Sequence, residues 1–294
     1  MRIPNSMILR TVKRNIEHQT EIVHDRQNQI GSGKRINKPS DDPLGAMRTQ
    51  QMYGNVNRLG QYERNHSFSK VWLSETESSI TQAQDIVMRM KELAVYIGSD
   101  QHNAQTRDNV SGEVQQMRDH MLALANTTIG GRHIFAGHET DRPAFLTNGT
   151  YAGDNGKIFI NLDNDVHLNM NFIGEDVFQS TAGGKNIIDT LEDFVSALQA
   201  NDDNTIRTTI IDELDYSFDV FGKQIAGVGA RTKSLETAGD ATVDAKVITK
   251  EQIGIIEEVD YFEVVSEMEA ARTAFHAALQ SSARIGKLSL INFI

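Results

Sequence analysis

Counted backwards from Ile97 in alternating steps of three and four, the sequence meets Ala94, Met90, Val87, Ala83, Ile80, Thr76, Leu73, Ser69, His66, Tyr62, Leu59, Asn55 and Met52. Ten of these fourteen positions are apolar, and the rhythm holds for six heptads. So long and regular a stripe belongs to a helix that packs along other helices as in a coiled coil, and a dense globular core does not require it. A helix from about 45 to 97 would be on the order of 80 Å long at 1.5 Å per residue. Val110, Val114, Met117, Met121 and Leu124 continue the pattern in a second helix, and Leu9, Ile16, Val23 and Ile30 repeat at intervals of seven near the start.

Proline and glycine mark where this pattern stops. The four prolines are Pro4, Pro39, Pro43 and Pro143, so 44–142 and 144–294 lack the strongest helix breaker. Nine glycines fall within 130–184, which predicts a non-helical insert there. In it, Val166, Leu168, Met170 and Phe172 alternate with His167, Asn169 and Asn171, the period-two signature of a half-buried strand. Lys157 to Leu162 reads as its partner, joined through Asp163-Asn164-Asp165, and Asp154-Asn155-Gly156 marks a turn upstream. Helical spacing resumes with Ile187, Ile188, Leu191, Phe194, Val195 and Leu198 and then Ile210, Leu214, Phe218 and Phe221. It ends with Tyr261, Val265, Met268, Phe275 and Leu279. The expected fold is mainly α: a long antiparallel coiled-coil-like helical rod with paired terminal helices and a small β-rich insert. Its expected divisions are 1–44 plus 255–294 for the terminal helices, 45–132 plus 186–254 for the rod, and 133–185 for a small β-rich outer domain.

Charge narrows the function classes. The net charge of −11 argues against binding nucleic acid or an anionic membrane, both of which call for a basic surface. The ends differ in sign: residues 1–40 carry eight basic and three acidic side chains, and 251–294 carry three basic and seven acidic. Helices at the two ends are therefore electrostatically complementary. No cysteine occurs, which excludes disulfides, thiolate nucleophiles and Cys-ligated metal. No apolar run approaches the roughly 18 residues of a membrane span, and the start lacks the apolar core and cleavage site of a secretory signal peptide.

Motifs for catalysis are absent. Gly31-Ser32-Gly33-Lys34 lacks the spacing and the hydroxyl residue of a phosphate-binding loop. His133 and His138 have no supporting carboxylate set, and His66 sits on the heptad stripe, where a polar residue sets register. Asp163-Asn164-Asp165 lacks the glycine and terminal glutamate of a calcium loop. Asp41-Asp42 and Asp202-Asp203 read as caps that open helices. The triplets Asn126-Thr127-Thr128 and Asn148-Gly149-Thr150 fit the N-glycosylation pattern, which is short enough to arise by chance. No catalytic residue, cofactor or metal is expected.

The stretch Ile30 to Ala46, IGSGKRINKPSDDPLGA, resembles a signature of the bacterial flagellin family, where a basic SGKRI and an SDDP or DDAAG element follow the first helix. Gly131 to Thr140, GRHIFAGHET, is similar to an element of the hook-associated branch of that family. Val228 to Arg231 through Glu236, Val259 to Glu263 and the ending Leu288 to Ile294 resemble its C-terminal half. The insert 145–185, Tyr53 and Trp72 follow no family pattern. The resemblance implies a structural subunit at the hook–filament junction, with 1–44 and 255–294 as a polymerisation domain. It implies export through the flagellar type III apparatus without a cleaved signal and an extracellular place in the flagellum. The implied partners are further copies of the chain, hook-associated protein 1, flagellin and a cytoplasmic export chaperone. The stripes at both ends, Leu9, Ile16, Val23 and Ile30 with Tyr261, Val265, Met268, Phe275 and Leu279, are the expected assembly interface. A filament-forming flagellin is the alternative, and an unrelated coiled-coil protein or an enzyme a more remote one.

Overall fold

The computed structural model describes residues 5–99 and 103–291, without the side chains of a few residues beside those limits. The chain begins with α1 (Asn5–Ser32), α2 (Pro43–Ser99) and α3 (Ala104–Ala125). Two small hairpins follow, β1 (Thr128–Ile129) with β2 (Arg132–His133) and β3 (Phe159–Asn161) with β4 (His167–Asn169). After a short α4 (Gly174–Val177) come α5 (Ile187–Ala200) and α6 (Asp203–Thr205). A π-helical turn (Ile206–Ile210) leads from α6 into α7 (Ile211–Glu257), and α8 (Tyr261–Ile291) closes the chain. The fold is mainly α, with long flagellin-like helices and little sheet. Two compact units are present, one made of Met1–Arg58 with Ala245–Ile294 and the other of Leu59–Asp244.

In the second unit, the stripe counted from Ile97 is buried at every position from Leu59 to Ile97. Its polar members are buried with it: Thr76 donates to the Trp72 carbonyl at 2.8 Å, and the His66 ring pairs with the Leu162 carbonyl at 3.0 Å. The rhythm read in α3 is likewise buried at Val110, Val114, Met121 and Leu124. Asn103 and Asn186 open α3 and α5 by accepting backbone N–H groups in their first turns. Arg107 clamps the start of α3 to α6 through two hydrogen bonds to Asp203.

The glycine-rich segment belongs to the core of the same unit. Gly130 and Gly131, both at positive φ, form the two-residue turn of the first hairpin, a geometry that glycine adopts at no steric cost. In the second hairpin Ile160 stands opposite Leu168, and the paired strands are shorter than the alternation suggests. Asn171 ends the alternation by turning inwards, where its amide bonds Ile158 N–H and the Gly156 carbonyl. Phe135, Phe145 and Phe178 pack edge to face at ring distances of 5.2 and 5.5 Å around Phe178, which meets Phe221 of α7 at 5.6 Å. All four rings are fully buried. The segment 133–185 thus shares one hydrophobic core with α2, α3, α5 and α7.

Candidate assembly interface

In the first unit the terminal helices α1 and α8 lie against each other. Along α1, Val12, Ile16, Gln19, Val23, Arg26 and Ile30 are partly buried at steps of three and four. On α8, Val264 and Ala271 are buried, and Met268, Phe275 and Ala278 partly so, at the same spacing. Arg26 and Glu267 join the two helices by an ion pair of 2.8 Å.

The expected interface residues divide along this seam. Ile16, Val23 and Ile30 lie on it from the α1 side, and Met268 and Phe275 from the α8 side. Tyr261, Val265 and Leu279 flank it and remain exposed, at 53%, 42% and 41%. Leu9 lies in α1, and its side chain is outside the described residues. Periodicity alone had not marked Ala271 and Ala278, because alanine is apolar enough to be buried and small enough not to stand out.

The flagellin-like signature between α1 and α2 has a structural reason for each part. Gly33, at φ +72°, ends α1 by donating its N–H to the Gln29 carbonyl at 2.9 Å, the left-handed helix stop that favours glycine. Three hydrogen bonds, through Gly33 and Arg35, then attach the chain to the end of α7 and the residues just after it. Arg35 N–H donates to the Glu257 carbonyl (2.7 Å), Val259 N–H to the Gly33 carbonyl (3.2 Å) and the Arg35 guanidinium to the Ile256 carbonyl (2.9 Å). Asp41 accepts the N–H groups of Asn37 and Lys38, and Asp42 caps α2 by accepting Gly45 N–H at 2.8 Å. Of the two aspartate pairs read as caps, Asp42 and Asp202 fill that role, while Asp41 ties the loop and Asp203 holds Arg107. Gly45 is fixed by space: a Cβ there would lie 2.5 Å from Asp42 Oδ2 and 2.6 Å from Ile36 Cδ1.

Sequence reading missed the electrostatic centre of this attachment, Glu257. Its carboxylate is 9% exposed and accepts from Lys34 Nζ at 2.7 Å and from the Tyr53 hydroxyl at 2.5 Å. Burial pushes the carboxyl up, but the hydrogen bonds from Lys34 and Tyr53 outweigh it and hold Glu257 below its ordinary value. The hydrogen bond to Glu257 raises Lys34, and the separate bond from the Tyr53 hydroxyl to Glu257, aided by burial, raises Tyr53. Only the 223-residue separation of Lys34 from Glu257 hides the pair from periodicity.

The GRHIFAG element is structural in the second unit: Ile134, Phe135 and Ala136 are buried, and His133 and His138 bond two different carbonyls, those of Asn126 and Lys157. Among the described residues no helix is long and apolar enough to cross a membrane.

Residues 3–140 match the bacterial flagellin N-terminal helical region. Flagellar hook-associated protein 3 of Escherichia coli K12 is 25% identical over 284 residues, covering 89% of this chain and 90% of that protein. A flagellin of Clostridium tyrobutyricum is 28% identical over 128 residues, covering 44% of this chain and 34% of the flagellin. A solved flagellar hook-associated protein from Vibrio parahaemolyticus shares the fold with a TM-score of 0.69 at 17% identity, over 74% of this chain and 99% of that one. The chain is a structural component of the flagellar axis that matches the flagellin N-terminal helical region over residues 3–140 and is similar along nearly its whole length to flagellar hook-associated protein 3.

Proposed function

We propose that the chain is the structural subunit that joins the flagellar hook to its filament. One observation carries this reading: the similarity to hook-associated protein 3 spans 89% of this chain and 90% of that protein, whereas the flagellin match stops after 44% of the chain. A filament subunit is the second reading, favoured by the flagellin-type N-terminal region. The protein acts by assembling rather than by catalysis. It is exported without a cleaved signal, held before export by a cytoplasmic chaperone, and lies outside the cell between hook-associated protein 1 and flagellin.

The terminal helices provide the assembly surface. Ile16, Val23, Ile30, Met268 and Phe275 hold α1 and α8 together, while exposed Tyr261, Val265 and Leu279 offer a second apolar stripe to a neighbouring subunit. Leu9 extends the α1 stripe by sequence spacing. Replacing Tyr261, Val265 and Leu279 together with serine removes this stripe and leaves the buried seam intact. Export of the variant should continue and its incorporation should fail. Immunogold labelling of isolated hook–filament structures tests the main reading. A single band at the junction is expected, and label along the filament would assign the chain to the filament instead.

A further inference from the structure

We propose that copies of this chain meet head to tail, an apolar knob at the α7–α8 break of one copy entering a groove at the start of α2 in the next. The proposal rests on the assembly reading above and names the contact that assembly uses. The knob is Ile255 and Phe262, 79% and 92% exposed, with Val265 beside them at 42%. Ile253 and Glu257 are buried, so helical spacing turns Ile255 away from its own signature loop and its own groove cannot receive it. A phenylalanine and an isoleucine left in water forgo stabilisation that burial would supply, and they sit among exposed Glu251, Asp260 and Glu263.

The groove, about 430 Å³, is lined by Ile36, Pro39, Pro43, Met47 and the Tyr53 ring. Met47 in its lining and Leu44, next to Pro43 in sequence, are each 53% exposed. Exposed Lys38 lines the groove and exposed Arg48 follows Met47 in α2, while the carboxylate in its lining, Glu257, is already paired with Lys34. The two surfaces are therefore complementary twice over: apolar knob to apolar groove, and acidic border to the basic Lys38 and Arg48. That match selects a second copy as the occupant. Because the surfaces differ, the contact is heterologous, and repetition closes a ring or extends a helix, as an axial structure needs.

The absence of cysteine makes the test direct. Met47→Cys and Phe262→Cys are made in separate, differently tagged full-length chains and co-expressed in flagellated cells. Circular dichroism of each purified variant confirms an unchanged fold. Mild oxidation of isolated flagella should yield a heterodimer carrying both tags, because thiols this close form disulfides readily. A Phe262→Cys homodimer, an adduct of Phe262→Cys with another flagellar protein, or no adduct in structures that contain both chains would overturn the proposal. Charge reversal supplies the second arm. Lys38→Glu with Arg48→Glu should reduce incorporation about tenfold, and adding Glu251→Lys with Glu263→Lys should restore it. Failure of that rescue, with both variants folded, also counts against it. Immunogold in the same cells keeps the two readings apart: a chain found at the junction without the cross-link refutes this contact only, and a chain absent from the flagellum refutes the function.

Discussion

At the residue scale, the flagellin-like signature is a set of small geometric requirements, and two of them can be weighed separately. Gly45→Ala pushes a methyl group against Asp42 and Ile36, and overpacking of this kind costs about 1–3 kcal/mol. Gly54, in the same helix, has nothing within 4 Å of an added Cβ. Gly54→Ala should therefore stabilise by roughly 0.5–1 kcal/mol through helix propensity alone. Chemical denaturation of the two variants should shift in opposite directions. Glu257 makes a pH prediction. Its folded carboxyl lies below the ordinary 4.5, so its contribution is complete above that value and is lost as pH falls through the folded value. Lys34 is raised above 10.5, so its contribution is complete below that and lost as pH rises through its folded value. The attachment is strongest on the plateau between. Glu257→Gln should lower the thermal midpoint there, and the gap to the parent protein should narrow as pH is taken to about 3. A gap that does not vary with pH would show that the ion pair contributes nothing.

At the element scale, the stripe of α2 makes the sharpest test of packing. Ile80→Ala, at a fully buried stripe position, should cost about 2–5 kcal/mol. Val71→Ala, on the exposed side at 59%, should stay within about 0.5 kcal/mol. Equal losses from urea melts would mean that the seven-residue pattern does not define the core. That the pattern was legible at all follows from length: over six heptads a few polar members, His66, Ser69 and Thr76, cannot disguise the period, and two of them are paired, Thr76 with the Trp72 carbonyl and His66 with the Leu162 carbonyl. Short elements were harder to read. The π-helical turn at Ile206–Ile210 follows a capping aspartate and looks like any apolar helical start. The Gly130-Gly131 hairpin has only two residues in each strand, too few to show alternation. In α8 the bulky residues suggested one stripe, whereas the alanines permit a closer seam one position away. The candidate site divides in the same way: its helices and signature loop are local patterns, but Glu257 matters only because folding brings Lys34 and Tyr53 to it.

At the scale of the whole molecule, the sequence suggests that the segment between α3 and α5 could be removed, since helical patterns flank it and turns interrupt it. The structure shows why removal has a cost. Phe135, Phe145 and Phe178 come from that segment, Phe221 comes from α7, and the four rings form one buried stack. Asn126, at the end of α3, binds the backbone of Phe145 at both its amide atoms, 2.8 and 2.9 Å away. Arg231 of α7 donates to the Asn171 carbonyl at 2.8 Å and lies 3.8 Å from the Phe172 ring. Excision would expose Phe221 and leave Asn126 and Arg231 without these partners. Each buried aromatic removed is worth about 3–5 kcal/mol, which for three of them approaches the whole stability of a typical domain, about 5–15 kcal/mol. Joining Gly131 to Lys185 through a short Gly/Ser linker should therefore broaden thermal unfolding and lower helix content by more than the excised residues account for. Circular dichroism of the shortened chain checks this. Full helicity per remaining residue, with a cooperative melt, would show that the helices of the second unit are stable without the aromatic stack.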